Sequence, residues 1–102
     1  MKDNANILDK ALEGTAPVLI EFYATWCPHC QRMAPVLDML QEEEGNRAVI
    51  VRVDQERHPD LVERFGVKSF PTFFLMKDGQ QVWTDSGEKP LSELKDMVNR
   101  FV

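Results

Sequence analysis

Two cysteines separated by two residues, Cys27 and Cys30, are the side chains of this sequence best suited to chemistry. They follow an apolar run and open a helical pattern, and this spacing lets the two sulfurs meet across one helical turn. At a helix start, unpaired N–H groups and the helix dipole favour the thiolate of Cys27. Cys30, one turn further in, is expected to be more buried and to keep its proton. One sulfur can then attack and the other resolve, which is the asymmetry that thiol–disulfide exchange needs.

Three other uses of such a cysteine pair fit the sequence less well. A c-type haem site needs a histidine directly after the second cysteine, where this chain has Gln31. A zinc site would need both histidines, yet His29 lies between the cysteines and is too cramped to bind the metal beside them. A purely structural disulfide that closes so short a loop would stabilise the fold little.

Length, charge and the absence of long apolar runs limit the possible domain number, partners and location of the protein. A chain of 102 residues suits one domain, which we expect to span residues 1–102. Twelve basic against seventeen acidic side chains give a net charge of −5, which argues against a nucleic-acid partner or an anionic membrane. Residues 1–12 contain no signal-peptide core, and no apolar run approaches the ~20 residues of a membrane helix. We therefore expect a soluble, monomeric, cytoplasmic protein without a bound metal or cofactor.

Strands and helices are predicted to alternate along the chain. The predicted strands are residues 17–24, 48–54, 72–77 and 81–84, and the predicted helices are a short one capped by Asn4 or Asn6, one from 28 to about 44, one over 59–65, and a last one capped by Ser92. The acidic run Glu42–Glu44 is interpreted as a solvated helix end. Alternation implies parallel crossovers, and Asp78-Gly79 predicts a hairpin turn. We expect an α/β fold with a mixed sheet of about four strands and helices on both faces.

The stretch EFYATWCPHC at 21–30, with SFPT at 69–72 and Asp78-Gly79, resembles the thioredoxin family over nearly the whole chain. The resemblance implies a thioredoxin-like fold in which Cys27 is the attacking thiolate and Cys30 the resolving thiol. It implies that Pro71, 44 residues after Cys27, is a cis-proline beside the disulfide, and that the Phe70 backbone pairs with an extended substrate segment. The N-terminal edge strand usual in the family has no counterpart here, because residues 1–4 are too few and too polar.

The residues between the cysteines, Pro28 and His29, depart from the reductases of the family, which carry Gly-Pro. Pro-His resembles the bacterial periplasmic thiol oxidases, whose inserted helical domain 102 residues cannot hold, while Glu-Phe-Tyr-Ala resembles protein disulfide isomerase domains. A protonated or hydrogen-bonding imidazole at His29 would stabilise the Cys27 thiolate and hence the reduced pair. Each pKa unit below ambient pH makes such a pair about 30 mV more oxidising. We therefore expect a potential less reducing than that of a typical thioredoxin.

Charged residues interrupt two apolar strands, at Glu21 and Arg52. Buried charges are costly unless they are paired. We expect Glu21 beneath the active site as a proton acceptor for Cys30, at a position where the family has an acidic residue, and Arg52 as its partner. Trp26 and Phe70, with Pro28 and Pro71 beside them, would form an apolar rim that binds extended or unfolded protein segments.

Two classes of function follow. The first is a thiol–disulfide oxidoreductase of the thioredoxin type with an isomerase or oxidase bias, whose alternative within the class is a general protein-disulfide reductase served by a flavin-dependent thioredoxin reductase. The second is a redox-responsive binding module, in which the thiol state controls a partner surface around Trp26 and Phe70. Repeated turnover of protein disulfides separates the two, because a binding module does not turn over.

Overall fold

Four strands form one mixed sheet in the computed structural model, which describes residues 1–102. The strands are β1 (Val18–Tyr23), β2 (Val49–Asp54), β3 (Thr72–Lys77) and β4 (Gln80–Ser86), and they lie side by side in the order β2-β1-β3-β4. The pair β1–β2 is parallel, whereas β1–β3 and β3–β4 are antiparallel. The helices are α1 (Leu8–Glu13), α2 (Pro28–Glu44), α3 (Pro59–Phe65) and α4 (Leu91–Asn99), with short 3-10 turns at Ala5–Ile7 and Gly45–Arg47.

The central strand β1 is buried on both faces, and its side chains divide between two cores. Leu19 lies in a core with residues of α2 and α4, such as Leu37 and Leu94. Ile20 and Phe22 lie in the opposite core, against α1 and α3. Because side chains alternate along a strand, the odd-numbered residues of β1 face α2, and Glu21 is one of them. The expected sheet of four strands with helices on both faces is confirmed.

Residues 3 and 4 and the Gln41 side chain, rather than a further strand, pair with the free edge of β2. Asn4 donates from its backbone N–H to the Arg52 carbonyl and from Nδ2 to the Ile50 carbonyl, and its Oδ1 accepts from the Arg52 N–H. Asp3 accepts from the Asp54 N–H, and Gln41 of α2 accepts from the Ile50 N–H. These contacts satisfy backbone groups that an exposed edge would otherwise offer to another chain. The expected absence of a strand ahead of β1 is confirmed.

Three local predictions are wrong. Asn4 stands at the N-cap of the first 3-10 turn, but its side chain makes no capping bond because it pairs with β2, and Asn6 lies inside that turn. Ser92 does not cap α4, because the helix begins one residue earlier, at Leu91. The N-cap is Pro90, whose carbonyl accepts hydrogen bonds from the N–H groups of Glu93 and Leu94.

The third concerns the acidic run at the end of α2, where Glu42 and Glu43 are exposed but Glu44 is buried. The buried residues of α2 are Cys30, Met33, Leu37, Leu40 and Glu44, spaced alternately by three and four. Glu44 therefore continues the stripe of α2 that faces the sheet. Its carboxylate has no hydrogen bond, and Arg47 Nη2 lies 3.6 Å from it.

Candidate active site

The two cysteines meet where β1 ends and α2 begins, and both are reduced in the structure. Cys27 is the N-cap of α2, and its sulfur accepts a hydrogen bond from the Cys30 N–H at 3.4 Å. Pro28 follows at the first helical position, where its missing N–H costs nothing. The local sequence thus ends a strand and starts a helix with the Cys27 sulfur at the electropositive helix terminus.

The two thiols lie in different surroundings. Cys27 retains 5% exposure, whereas Cys30 is wholly buried. The pKa of Cys30 is raised to about 12, chiefly by burial and to a smaller extent by the neighbouring Cys27 and Glu21, against a hydrogen bond involving the Ala24 backbone that lowers it. Cys30 therefore keeps its proton at neutral pH, as the sequence predicted.

The loop before β3 closes over the cysteines. The Cys27 thiol donates to the Phe70 carbonyl across 3.8 Å, and the Phe70–Pro71 peptide bond is cis, as expected. Phe70 is half-buried and packs against both the cysteine pair and the core beside α3. Pro71 is buried, and its carbonyl accepts from the Gly87 N–H. Phe70 thus contributes both to the surface beside the cysteines and to the packing of the core.

The apolar surface beside Cys27 is provided mainly by Trp26. Its side chain is 69% exposed, the most exposed large hydrophobic residue of the protein. Pro28 is also exposed. Together with half-buried Phe70, these two residues leave apolar surface open next to a sulfur that is itself nearly covered. Exposed apolar groups around a reactive atom are typical of a protein-binding surface.

Glu21 and Arg52 form a buried ion pair beneath the start of α2. They lie directly opposite each other in the parallel β1–β2 pair, and Arg52 Nε donates to Glu21 Oε1 at 2.5 Å. Glu21 is fully buried and its second oxygen has no hydrogen-bond partner. Burial raises the pKa of Glu21 to about 7, although the charge and hydrogen bond of Arg52 oppose this. Its carboxyl group can therefore exchange a proton near neutral pH.

Arg52 uses all three of its nitrogens. Besides Glu21, it donates from Nη2 to the Cys30 carbonyl and from Nη1 to the Met1 carbonyl. Its guanidinium also lies 3.8 Å from the centre of the Tyr23 ring. The rigid fork of an arginine thus joins β1, β2 and α2 at one point, directly behind the resolving cysteine. The pairing of Arg52 with Glu21 that the sequence suggested is confirmed.

The His29 side chain has Glu88 and Arg32 as its hydrogen-bond partners, and the three form a cluster that the sequence did not reveal. Its Nδ1 lies 2.5 Å from Glu88 Oε1 and 2.9 Å from Arg32 Nη2. Arg32 also donates from Nε and Nη2 to the same oxygen of Glu88. Glu88 is 59 residues beyond His29, in the loop between β4 and α4, and no short-range pattern connects them.

No group of three or more histidine, cysteine, aspartate or glutamate side chains is arranged to hold a metal ion. No helix is long and apolar enough to cross a membrane.

Comparison with known proteins places this site in a family. The sequence model of the Thioredoxin family matches residues 2–100. The chain belongs to the thioredoxin family. Thioredoxin of Listeria monocytogenes is 44% identical over 85 residues, which are 83% of this chain and 82% of that protein. Thioredoxin 1 of Synechococcus elongatus is 32% identical over 99 residues, 97% of this chain and 92% of that protein.

A solved structure agrees with this assignment. A mutant thioredoxin from Halobacterium salinarum superimposes with a TM-score of 0.85 at 31% identity, covering 97% of this chain and 86% of that one. The thioredoxin-like fold expected from the sequence is confirmed. With its paired thiols at the start of α2, the protein is a thiol–disulfide oxidoreductase of the thioredoxin type.

Proposed function

We propose that the protein exchanges a Cys27–Cys30 disulfide with protein substrates through a mixed disulfide at Cys27. The observation that carries this proposal is the inequality of the two thiols. Cys27 lies at the N-terminus of a helix and keeps some exposure, whereas Cys30 is buried with its pKa raised to about 12. The thiolate is the nucleophile in disulfide exchange, so the helix-terminal sulfur is the better attacker.

In the reductive direction, the Cys27 thiolate attacks one sulfur of a substrate disulfide and forms a new S–S bond, and the other substrate sulfur leaves as a thiolate. Cys30 then attacks the Cys27 sulfur, so the Cys27–Cys30 disulfide forms and the second substrate sulfur leaves. Two electrons pass from the protein dithiol to the substrate. The reverse sequence oxidises a substrate dithiol.

The second step requires Cys30 to lose its proton inside the protein. Glu21 is proposed as the acceptor, since its pKa of about 7 allows it to be ionised at the moment of attack and to release the proton afterwards. Arg52 is proposed to keep the carboxylate available, because its charge and hydrogen bond lower a pKa that burial alone would raise further. The contact of Arg52 with the Cys30 carbonyl supports this arrangement.

Extended or unfolded protein segments are the proposed substrates. The Phe70 backbone would pair with such a segment by strand addition, with Trp26, Pro28 and Pro71 contacting its side chains. The exposure of Trp26 and Pro28 and the contact between Cys27 and the Phe70 carbonyl support this proposal. A substrate bound along the loop before β3 would present its disulfide to the Cys27 sulfur.

We further propose that the pair is less reducing than that of a typical thioredoxin, with a bias towards isomerisation or thiol oxidation. The proposed higher potential rests on His29, because an imidazolium near Cys27 favours the thiolate and therefore the reduced form of the cysteine pair. Equilibration with glutathione measures the potential. A value clearly above about −270 mV is expected, and a value at or below that thioredoxin potential would remove the proposed bias.

A general protein-disulfide reductase is the second candidate, and it is favoured by the relatives, which are named as thioredoxins. In that case a flavin-dependent thioredoxin reductase would supply the electrons. The two candidate functions use the same two cysteines and differ in the direction in which electrons pass between the protein and its substrates. A measured potential at the thioredoxin value, with turnover sustained by such a reductase, would select this candidate.

Turnover of insulin disulfides tests the enzyme against a redox-responsive binding module. The wild-type protein is expected to reduce many equivalents of insulin in the presence of dithiothreitol, whereas the Cys27→Ser variant is expected to be inactive. Binding of substrate without more than one turnover would favour the module. We also propose that residues 1–102 act as one domain, which the single sheet shared by all four strands supports, and that this domain is a monomer. The cytoplasmic location expected from the sequence stays a prediction.

A further inference from the structure

A charged cluster of three side chains, which we call the loop cluster, lies beside the cysteine pair. It consists of His29 and Arg32 from the first turns of α2 and Glu88 from the loop between β4 and α4. One carboxylate oxygen, Glu88 Oε1, accepts a hydrogen bond from Arg32 Nε at 2.8 Å and lies 2.5 Å from His29 Nδ1. The cluster therefore fixes the second residue of the Pro-His dipeptide to a distant part of the chain.

His29 Nδ1 faces two groups of opposite character. When Nδ1 carries a proton it can donate to Glu88, and when it does not it can accept from Arg32 Nη2, 2.9 Å away. In either state the nitrogen has a partner within the loop cluster. Glu88 thus keeps a negative charge next to the imidazole whether or not Nδ1 carries a proton.

The charge of Glu88 is permanent at physiological pH. Hydrogen bonds from Arg32 and then His29 lower the pKa of Glu88 to about 2. The cluster lies close to the active site, because His29 and Arg32 belong to the first turns of the helix that Cys27 caps. The charge of Cys27 also contributes to the raised pKa of Arg32, after the larger effect of the hydrogen bond and charge of Glu88. A carboxylate at this place opposes the positive charge of Arg32, and that of His29 when the imidazole is protonated, both of which favour the Cys27 thiolate.

We propose that Glu88 is a positioning residue that holds His29 in the loop cluster and offsets its charge, and so makes the Cys27–Cys30 pair more reducing than the Pro-His dipeptide alone would. This inference rests on the proposed disulfide exchange and deepens it. The dithiol loses two electrons and two protons on oxidation, and a protein disulfide takes them up. Glu88 affects how readily the dithiol gives them up, because a nearby anion disfavours the thiolate of the reduced pair.

The sign of the effect of removing this carboxylate follows from charge balance. In Glu88→Gln one negative charge disappears, while the positive charge of Arg32 remains. The surroundings of Cys27 become more positive, so the reduced form gains stability and the potential rises. Because the cluster is exposed, the effect falls within the range of surface charge pairs, about two- to fivefold in the equilibrium with glutathione. That corresponds to about 9–21 mV for two electrons.

The experiment measures the redox equilibrium of wild type and three variants against glutathione, at low and high salt. Glu88→Gln is expected to favour the reduced protein two- to fivefold, Glu88→Asp to stay near wild type because it keeps the charge, and Asp85→Asn to shift less. Asp85 is the matched control, because it is an exposed carboxylate of neighbouring β4 whose ion pair is with Lys89, outside the loop cluster. The Glu88→Gln shift is expected to shrink at high salt, which a merely structural effect would not do.

Three results would overturn the proposal: a Glu88→Gln potential equal to wild type, a shift towards a more reducing pair, or a shift no larger than that of Asp85→Asn. Each is a difference between variants. The proposed bias of the wild type depends instead on its absolute potential. A wild-type value at the thioredoxin potential would therefore refute that bias and leave the Glu88 comparison intact.

Discussion

Replacing Glu21 with Gln is predicted to change how stability depends on pH. In the folded protein the pKa of Glu21 is raised from 4.5 to about 7, chiefly by burial. Between these two pH values the native state binds more protons than the unfolded chain, so stability is lost as the pH rises. The difference of about 2.5 in pKa corresponds to a maximum of about 3–4 kcal/mol, at ~1.4 kcal/mol for each unit.

Glutamine does not titrate, so this part of the pH dependence disappears in Glu21→Gln. Arg52 stays charged throughout the range, and the cost of removing its partner is therefore a constant offset. Relative to wild type, the variant is expected to gain up to about 3–4 kcal/mol between pH 4.5 and pH 8. The assay is urea unfolding of the reduced protein at intervals from pH 4 to pH 8.

Glu13→Gln is a suitable control, because Glu13 is exposed at the end of α1 and takes part in none of the ion pairs. It reports the effect of removing one acidic charge without removing a buried one. Parallel pH profiles of Glu21→Gln and wild type would refute the reasoning, since Glu21 would then titrate as in the unfolded chain. A profile in which wild type gains stability with rising pH would mean that Arg52 outweighs burial.

Three further predictions follow from the same contacts. Arg52→Met is expected to raise the pKa of Glu21 beyond about 7, because the opposing charge and hydrogen bond are lost, and unfolding should show stability falling over a higher pH range than in wild type. Asn4→Ala removes two side-chain hydrogen bonds to β2 and is expected to cost about 1–3 kcal/mol in urea unfolding. Leu37→Ala is expected to cost about 2–5 kcal/mol because it empties a fully buried site, whereas Met39→Ala on the exposed side of α2 should change stability by less than about 0.5 kcal/mol.

The elements of the fold were largely predictable because their signals are local. The apolar run of β1 and the helical spacing of α2 appear directly in the sequence, and Asp78-Gly79 forms the predicted turn. The residues at which the helices begin were harder to predict. Pro90 supplies the backbone geometry that starts α4, and this made the cap expected from Ser92 unnecessary.

The Glu21–Arg52 pair was predictable for a different reason. A charge inside an apolar strand needs a partner, and the neighbouring strands β1 and β2 each contain such a charge, Glu21 and Arg52. Glu88 and Arg32 gave no comparable signal, because both are exposed polar residues of ordinary type. Only the fold brings Glu88 to His29 from 59 residues away. The prediction that Glu44 is solvated was wrong because the residue lies on the buried stripe of α2, a position that its polar side chain does not reveal.

The division of labour between the cysteines is tested most directly by trapping the mixed disulfide. Cys30→Ser, mixed with a disulfide-containing protein such as insulin, is expected to accumulate a covalent adduct that peptide mass spectrometry locates at Cys27. Cys27→Ser, treated in the same way, is expected to form little or none, because the remaining thiol is buried and its pKa lies at about 12. Equal adduct formation by both variants, or faster formation at Cys30, would contradict the proposed roles of attacking and resolving cysteine.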